Sequence, residues 1–278
     1  MTIVHPLIDA DELQERLGEV LVLDARWQLG RDDGREQYLA GHIPGAVFVD
    51  VEAELSRHGE PHEGRHPLPS DATLAEAARR WGMRQGLPVV VYDDHRMLAA
   101  SRLWWALRRA GVTDVRVLDG GWQAWLAAGG EVQAGDVEPV TGDIVLGAPG
   151  DEGIIDTSGA ATWPDHGVLV DVRAAERYRG ETELIDPVAG HVPGARNLPI
   201  GDLLTPDGRF RSASEILDAF AQVGADGDAP VAAYCGSGIT AAQFALAGAL
   251  VGREVTVYPG SWSTWSNTPD RPVATGAD

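Results

Sequence analysis

Pro230-Val231-Ala232-Ala233-Tyr234-Cys235-Gly236-Ser237-Gly238-Ile239-Thr240-Ala241 passes from a short apolar run, through two glycines, into an alanine-rich stretch. The run through Tyr234 has the length and bounding turn residues of a buried strand. A helix is expected to open near Thr240 or Ala241 and to continue to about Val251. The strand has a counterpart 142 residues earlier, Pro88-Val89-Val90-Val91-Tyr92. Working outward, Leu21-Val22-Leu23-Asp24-Ala25-Arg26 returns as Val168-Leu169-Val170-Asp171-Val172-Arg173 at an offset of 147. Ala40-Gly41-His42-Ile43-Pro44-Gly45-Ala46 returns as Ala189-Gly190-His191-Val192-Pro193-Gly194-Ala195 at 149, and Trp122-x-x-Trp125 as Trp262-x-x-Trp265 at 140. Four landmarks in one order imply a tandem duplication of a domain of roughly 130 residues. The expected boundaries are 1–133 and 154–278. The Gly-, Pro- and acid-containing segment 134–153 is read as a linker, strapped along one domain.

Within the copies, short Val-rich runs alternate with longer amphipathic ones. Val20–Asp24, Pro88–Tyr92, Val115–Leu118 and Val255–Tyr258 read as strands; Asp9–Leu17, Asp71–Trp81 and Leu98–Ala110 read as helices. Ser212-x-x-Glu215 is a capping box that would open a helix through Val223. The fold class is therefore α/β, with two tandem domains, each a mainly parallel sheet flanked by helices. In such sheets ligands sit beyond the carboxyl ends of the strands, where the second copy carries its cysteine.

Composition narrows the chemistry. The 278 residues include 42 acidic against 22 basic, a formal charge of −20, which argues against a nucleic-acid partner. All of the basic residues are arginine; there is no lysine, so Schiff-base chemistry and a Walker lysine are excluded. One cysteine, Cys235, excludes an internal disulfide and multi-thiolate metal centres. The amino terminus does not read as a secretory signal, and the longest apolar-leaning run, from Ala241 to Gly252, is too short to span a bilayer. A soluble, cytoplasmic protein without a membrane partner is expected.

A lone cysteine is often a small buried hydrophobe. Placement after a strand, before a helix and between a tyrosine and Gly-x-Gly favours a nucleophile instead. Successive backbone N–H groups and the positive helix end stabilise a thiolate, lowering a cysteine pKa below its ordinary ~8.5. The glycines allow the loop to curl into a cup of donors, to which the Ser237 and Thr240 hydroxyls would add. Two other motifs overlap this stretch. Gly236-x-Gly238-x-x-Ala241 matches a dinucleotide fingerprint, but Glu254 begins the following strand rather than ending it. A cysteine phosphatase would need arginine where Ala241 stands.

The two Gly-His-(Ile/Val)-Pro-Gly-Ala motifs, the loop Cys235 to Ala241 and Tyr258-Pro259-Gly260-Ser261-Trp262-x-x-Trp265 together resemble the tandem-rhodanese sulfurtransferases over nearly the whole chain. The resemblance implies a catalytically silent first domain, with Asp93 at the position of the cysteine. It implies a Cys235 persulfide, formed from a small anionic sulfur donor and passed to cyanide, a thiol or a thioredoxin-like acceptor, with no cofactor. The loop Gly236, Ser237, Gly238, Ile239, Thr240 is similar to that of mercaptopyruvate sulfurtransferases; thiosulfate-preferring rhodaneses carry Cys-Arg-Lys-Gly. Arg177 matches the first substrate-binding arginine of the mercaptopyruvate group. The second is missing from Glu183-Leu184-Ile185-Asp186-Pro187, leaving Arg179 as its substitute. The resemblance also suggests a proton relay from His42, Ser237 and Asp32 or Asp33, but His191 at the repeated position favours reading His42 as the anchor of a turn.

His58, His62 and His66 recur at four-residue spacing, but Gly59, Pro61, Gly64 and Pro67 break any helix there, so a polar loop is expected and no metal site. The tryptophans at 104, 105, 122, 125, 262 and 265 fit core positions. The leading expectation is a sulfurtransferase with 3-mercaptopyruvate slightly preferred over thiosulfate. The alternatives are a thiosulfate:cyanide sulfurtransferase proper and a persulfide carrier of low turnover.

Overall fold

Two parallel sheets arise from the repeated alternation of apolar runs and amphipathic helices. The structure, a computed structural model, describes residues 4–57, 59–148 and 150–277. It divides into one unit of Met1–Ser56, Pro69–Gly150 and Asp207–Arg209, and a second of Arg57–Leu68, Asp151–Pro206 and Phe210–Asp278.

In the first unit the strands are β1 (Leu7–Ile8), β2 (Leu21–Asp24), β3 (Val47–Phe48), β4 (Val89–Tyr92) and β5 (Val115–Leu118), ordered β1-β5-β4-β2-β3 and all parallel. The helices are α1 (Ala10–Arg16), α2 (Gly34–Ala40), α3 (Val51–Glu54), α4 (Asp71–Arg80), α5 (Leu98–Arg109) and α6 (Gly121–Ala127). All four residues of β4 are buried, as a central parallel strand covered on both faces requires. Ile8, Leu13, Val22, Val90, Tyr92, Leu118 and Trp125 belong to its core. Residues of the expected linker are hydrogen-bonded within this unit, Gly142 N–H to Arg79 O (2.8 Å) and Gly147 N–H to Ala110 O (2.8 Å).

The second unit has the parallel order β7-β6-β8-β9, from β6 (Val168–Asp171), β7 (Arg196–Asn197), β8 (Val231–Tyr234) and β9 (Val255–Val257). Ile154 bridges Val257 in parallel, in the place that β1 takes beside β5. Its helices are α7 (Thr157–Thr162), α8 (Ala175–Tyr178), α9 (Ala213–Gln222), α10 (Ile239–Leu250) and α11 (Ser261–Asn267). The Ser212–Glu215 capping box is present at the start of α9. Helix α10 is apolar nearly all round and accordingly buried on nearly every face. No helix among the described residues is long and apolar enough to cross a membrane.

The repeated motifs are structural anchors. Asp24 ends β2 and takes both Nε (2.9 Å) and Nη2 (2.6 Å) of Arg26; Asp171 and Arg173 repeat this at 3.0 and 2.6 Å. The buried guanidiniums lie over Trp122 and Trp262 respectively. Each also reaches the glycine carbonyl of its Gly-His motif, Gly41 or Gly190. The strand end, the motif and the tryptophan helix are thereby tied together in both copies.

Candidate active site

Strand β8 delivers Cys235 to the carboxyl edge of the second sheet, and the chain must turn there before α10 can begin. Gly238 makes that turn at φ +84°, and a Cβ on it would stand 2.3 Å from Pro259 O. With the turn made, the Gly238 N–H donates to Cys235 Sγ at 3.1 Å. The cysteine is 2% exposed. Its backbone is clamped by the start of α11: the Cys235 N–H donates to Ser261 Oγ (3.1 Å), while the Cys235 and Gly236 carbonyls accept from Trp262 N–H (2.9 Å) and Ser263 N–H (2.8 Å).

The first unit builds the same loop around a carboxylate. Asp93 follows β4, and its backbone carbonyl accepts from Trp122 N–H at 2.8 Å, as that of Cys235 does from Trp262. Its Oδ1 accepts from the N–H groups of His95 and Met97, and its Oδ2 from Ala100, each at 2.9 Å. Met97 caps α5 in the left-handed region, as Gly238 caps α10. The loop after the strand thus converges N–H groups on whatever side chain ends it. Burial nevertheless pushes the Asp93 carboxyl up to about 6, against the pull of those donors.

Above the cysteine loop stand two arginines. A Cβ on Gly236 would lie 2.9 Å from Nη2 of Arg65 and 3.5 Å from Nη1 of Arg177. Arg177 extends from α8, and its Nε and Nη2 grip Glu183 at 3.1 and 2.7 Å. Arg65 belongs to the Arg57–Leu68 segment, which is part of the second unit. That segment seats Gly64 (φ +91°) so closely on α11 that a Cβ would stand 2.6 Å from Thr264 Oγ1. The Arg65 N–H donates to Ser263 Oγ (3.2 Å), and its Nη1 pairs with Asp186. The next residue, His66, is buried and its Nδ1 lies 2.7 Å from Ser237 Oγ in the cysteine loop. The site therefore offers a buried thiol, an N–H donor on its sulfur, a histidine–serine pair and two guanidiniums.

A family model for the rhodanese-like domain matches residues 9–128 and again 158–268. The chain belongs to the rhodanese-like family. A putative thiosulfate sulfurtransferase of Mycobacterium tuberculosis is 46% identical over 92% of this chain and 91% of its own length. A probable 3-mercaptopyruvate sulfurtransferase of Pseudomonas aeruginosa is 44% identical over 97% of this chain and 98% of its own. The crystal structure of the Escherichia coli 3-mercaptopyruvate sulfotransferase superposes with a TM-score of 0.82 at 33% identity, covering 93% of this chain and 99% of that one. This rhodanese-like chain is a sulfurtransferase.

Several expectations for its rhodanese-like site need correction. His42 is not the histidine at Ser237: it is fully buried in the first unit, stacked on Tyr38 with ring centroids 4.1 Å apart and its Nδ1 2.9 Å from Tyr38 O. His191 repeats this against Tyr178 at 3.7 and 2.8 Å, so the shared histidine ties its motif to the preceding helix. Asp33 is held by Arg31 and Gln37, and Asp32 is exposed. Arg179 turns outward to pair with Glu181 (2.7 Å), and the guanidinium found near Gly236 together with that of Arg177 belongs to Arg65. The Ser237 hydroxyl is bonded to His66 rather than to sulfur. Of the spaced histidines, His58 lies outside the described residues, and His62 sits on a single 3₁₀ turn, Pro61–Glu63. No functional role is legible for Arg65 or His66 in the sequence, because the second copy matches Arg65 with Arg209 but has Phe210 in place of the histidine. The available signals are that recurrence of Gly-Arg and an Arg-His pair in a glycine- and proline-broken segment too irregular for a core element.

Proposed function

We propose that Cys235 is the sulfur carrier of this sulfurtransferase, and that the first unit is catalytically silent. The supporting observation is the N–H donor on Cys235 Sγ, read beside its internal counterpart. At Asp93 the corresponding loop holds a two-atom anion with three N–H groups. A persulfide, Cys–S–S⁻, is also an anion extended by one atom, and the Ala241 N–H, equivalent to that of Ala100, is suited to meet its outer sulfur.

The donor is 3-mercaptopyruvate, slightly preferred over thiosulfate, with its anionic group between Arg65 Nη2 and Arg177 Nη1 above Gly236. Arginine suits a carboxylate, and a side chain at Gly236 would fill this space. The Cys235 thiolate attacks the donor sulfur; the S–S bond forms as the S–C bond breaks, and its electron pair passes to the enolate of pyruvate. The proton lost by the donor thiol travels through Ser237 and His66 to that enolate. Cyanide or a thiol then takes the outer sulfur, and the electron pair of the S–S bond returns to Cys235 as thiolate.

Both donors should be assayed in parallel, with cyanide as acceptor and with intact mass recorded after donor exposure. The expected results are a +32 Da adduct that Cys235→Ser abolishes, and a higher kcat/KM with mercaptopyruvate. A large thiosulfate advantage would reverse the donor order, an adduct without turnover would indicate a carrier, and no adduct would refute the assignment.

A further inference from the structure

The two guanidiniums above the cysteine loop are not free cations. The Asp186 side chain is only 1% exposed, and it bridges them, with Oδ1 on Arg65 Nη1 and Oδ2 3.2 Å from Arg177 Nη2. Glu183 completes the grip on Arg177 and reaches Arg173 at 3.5 Å. Glu183 is in turn held in place by the N–H groups of Ile185 (3.0 Å) and Asp186 (3.1 Å). Arg65, Arg173 and Arg177 thus face Asp171, Glu183 and Asp186, three charges against three, so the cluster is neutral before any donor arrives. Arg65 Nη2 and Arg177 Nη1 are the guanidinium nitrogens nearest to a Cβ on Gly236. Burial pushes the Asp186 carboxyl up despite both arginines, so its ionisation is maintained against a desolvation cost.

We propose that Asp186 is a specificity-determining residue of the donor site, a resident carboxylate that neutralises Arg65 and Arg177 and thereby disfavours a dianionic donor relative to a singly charged one. The inference rests on the reading that these two arginines receive the donor anion. A neutral cluster accepting a monoanion ends at one net negative charge, whereas accepting thiosulfate leaves two, beside arginine side chains that are 25% and 22% exposed. Removing one resident charge favours each donor in proportion to its own charge. At ~5 Å in a water-like dielectric, one charge pair is worth roughly a fourfold change. The thiosulfate-to-mercaptopyruvate ratio of kcat/KM should accordingly rise about fourfold.

The test is Asp186→Asn, which keeps shape and one acceptor oxygen, beside Asp186→Glu, which keeps the charge. Arg65→Met and Arg177→Met are assayed in parallel with both donors. The expected result is a ratio raised about fourfold in D186N, carried by KM values that fall for both donors and further for thiosulfate, with kcat little changed, and restored toward wild type in D186E. An unchanged ratio in D186N, or equal losses for both donors in D186N and D186E, would assign Asp186 a structural role only and overturn the proposal. If R65M and R177M leave both donors' KM unaltered, the donor site itself is misplaced, a failure distinguishable from that of Asp186 alone.

Discussion

A carboxylate receiving three N–H groups should ionise easily, and Asp93 is the exception because it has no access to water. Its carboxyl rises from 3.8 to about 6, with burial the larger effect. The folded chain then binds a proton more readily than the unfolded one between those values, so this group's contribution to stability falls as pH rises from about 4 to 6. Relative to Asp93→Asn, the wild type should lose about 3 kcal/mol across that window. Denaturant midpoints of both proteins at half-unit pH steps would check this; a constant difference would mean that Asp93 titrates as a surface carboxylate does. In the second unit the matching residue is a thiol, and the chemistry beside it belongs to His66. Replacing His66 by Asn should lower kcat with mercaptopyruvate by about 10²-fold while sparing thiosulfate, which brings no thiol proton. Equal losses with both donors would show that His66 merely holds Ser237 in place.

At the scale of elements, strand β8 and helices α10 and α11 form one device, and its joint is Ser261. This residue sits at φ +53°, a left-handed conformation that costs a side-chain-bearing residue about 1 kcal/mol or more. Its counterpart in the first unit is Gly121, at φ +56°. The hydroxyl offsets the strain, accepting from Cys235 N–H and donating to Tyr258 O at 2.8 Å. Ser261→Gly removes both strain and hydroxyl, whereas Ser261→Ala removes only the hydroxyl. The thermal midpoint should therefore fall in the order wild type, S261G, S261A, with S261A about 1 kcal/mol below S261G. The reverse order of the two variants would mean that the backbone there is unstrained. Elements of this kind were legible in the sequence because their signals are local: the Val-rich strands, the Ser212 cap and the glycines after Cys235 each act within a few residues. Placement of the 57–68 segment was not legible, since it depends on Gly64 packing against Thr264, about 200 residues away. The resemblance misdirected the histidine assignment and the repeat pointed the right way: what recurs in both copies, such as His42 and His191, is what folding requires of both. His66 serves one copy only: Gly64-Arg65 returns as Gly208-Arg209, but Phe210 stands where a second histidine would.

The whole molecule sets the conditions under which an anion reaches this site. A formal charge of −20 repels either donor, and the neutral arginine cluster supplies no compensating field. Between exposed charges the repulsion is screened over ~10 Å at 0.1 M ionic strength and acts over ~30 Å at 0.01 M. Adding salt should therefore lower the apparent KM for both donors. The logarithmic change should be about twice as large for thiosulfate as for singly charged mercaptopyruvate, because the work of approach scales with donor charge. Competition by salt anions at Arg65 and Arg177 has the opposite sign and would raise KM for both. Steady-state KM values for the two donors from 0.01 to 0.2 M ionic strength separate these cases. A fall that is steeper for thiosulfate places the barrier in the field of the chain, whereas a rise places it at the guanidiniums. In the first case the donor preference measured at low ionic strength exaggerates mercaptopyruvate, because the long-range repulsion acts in the same direction as Asp186.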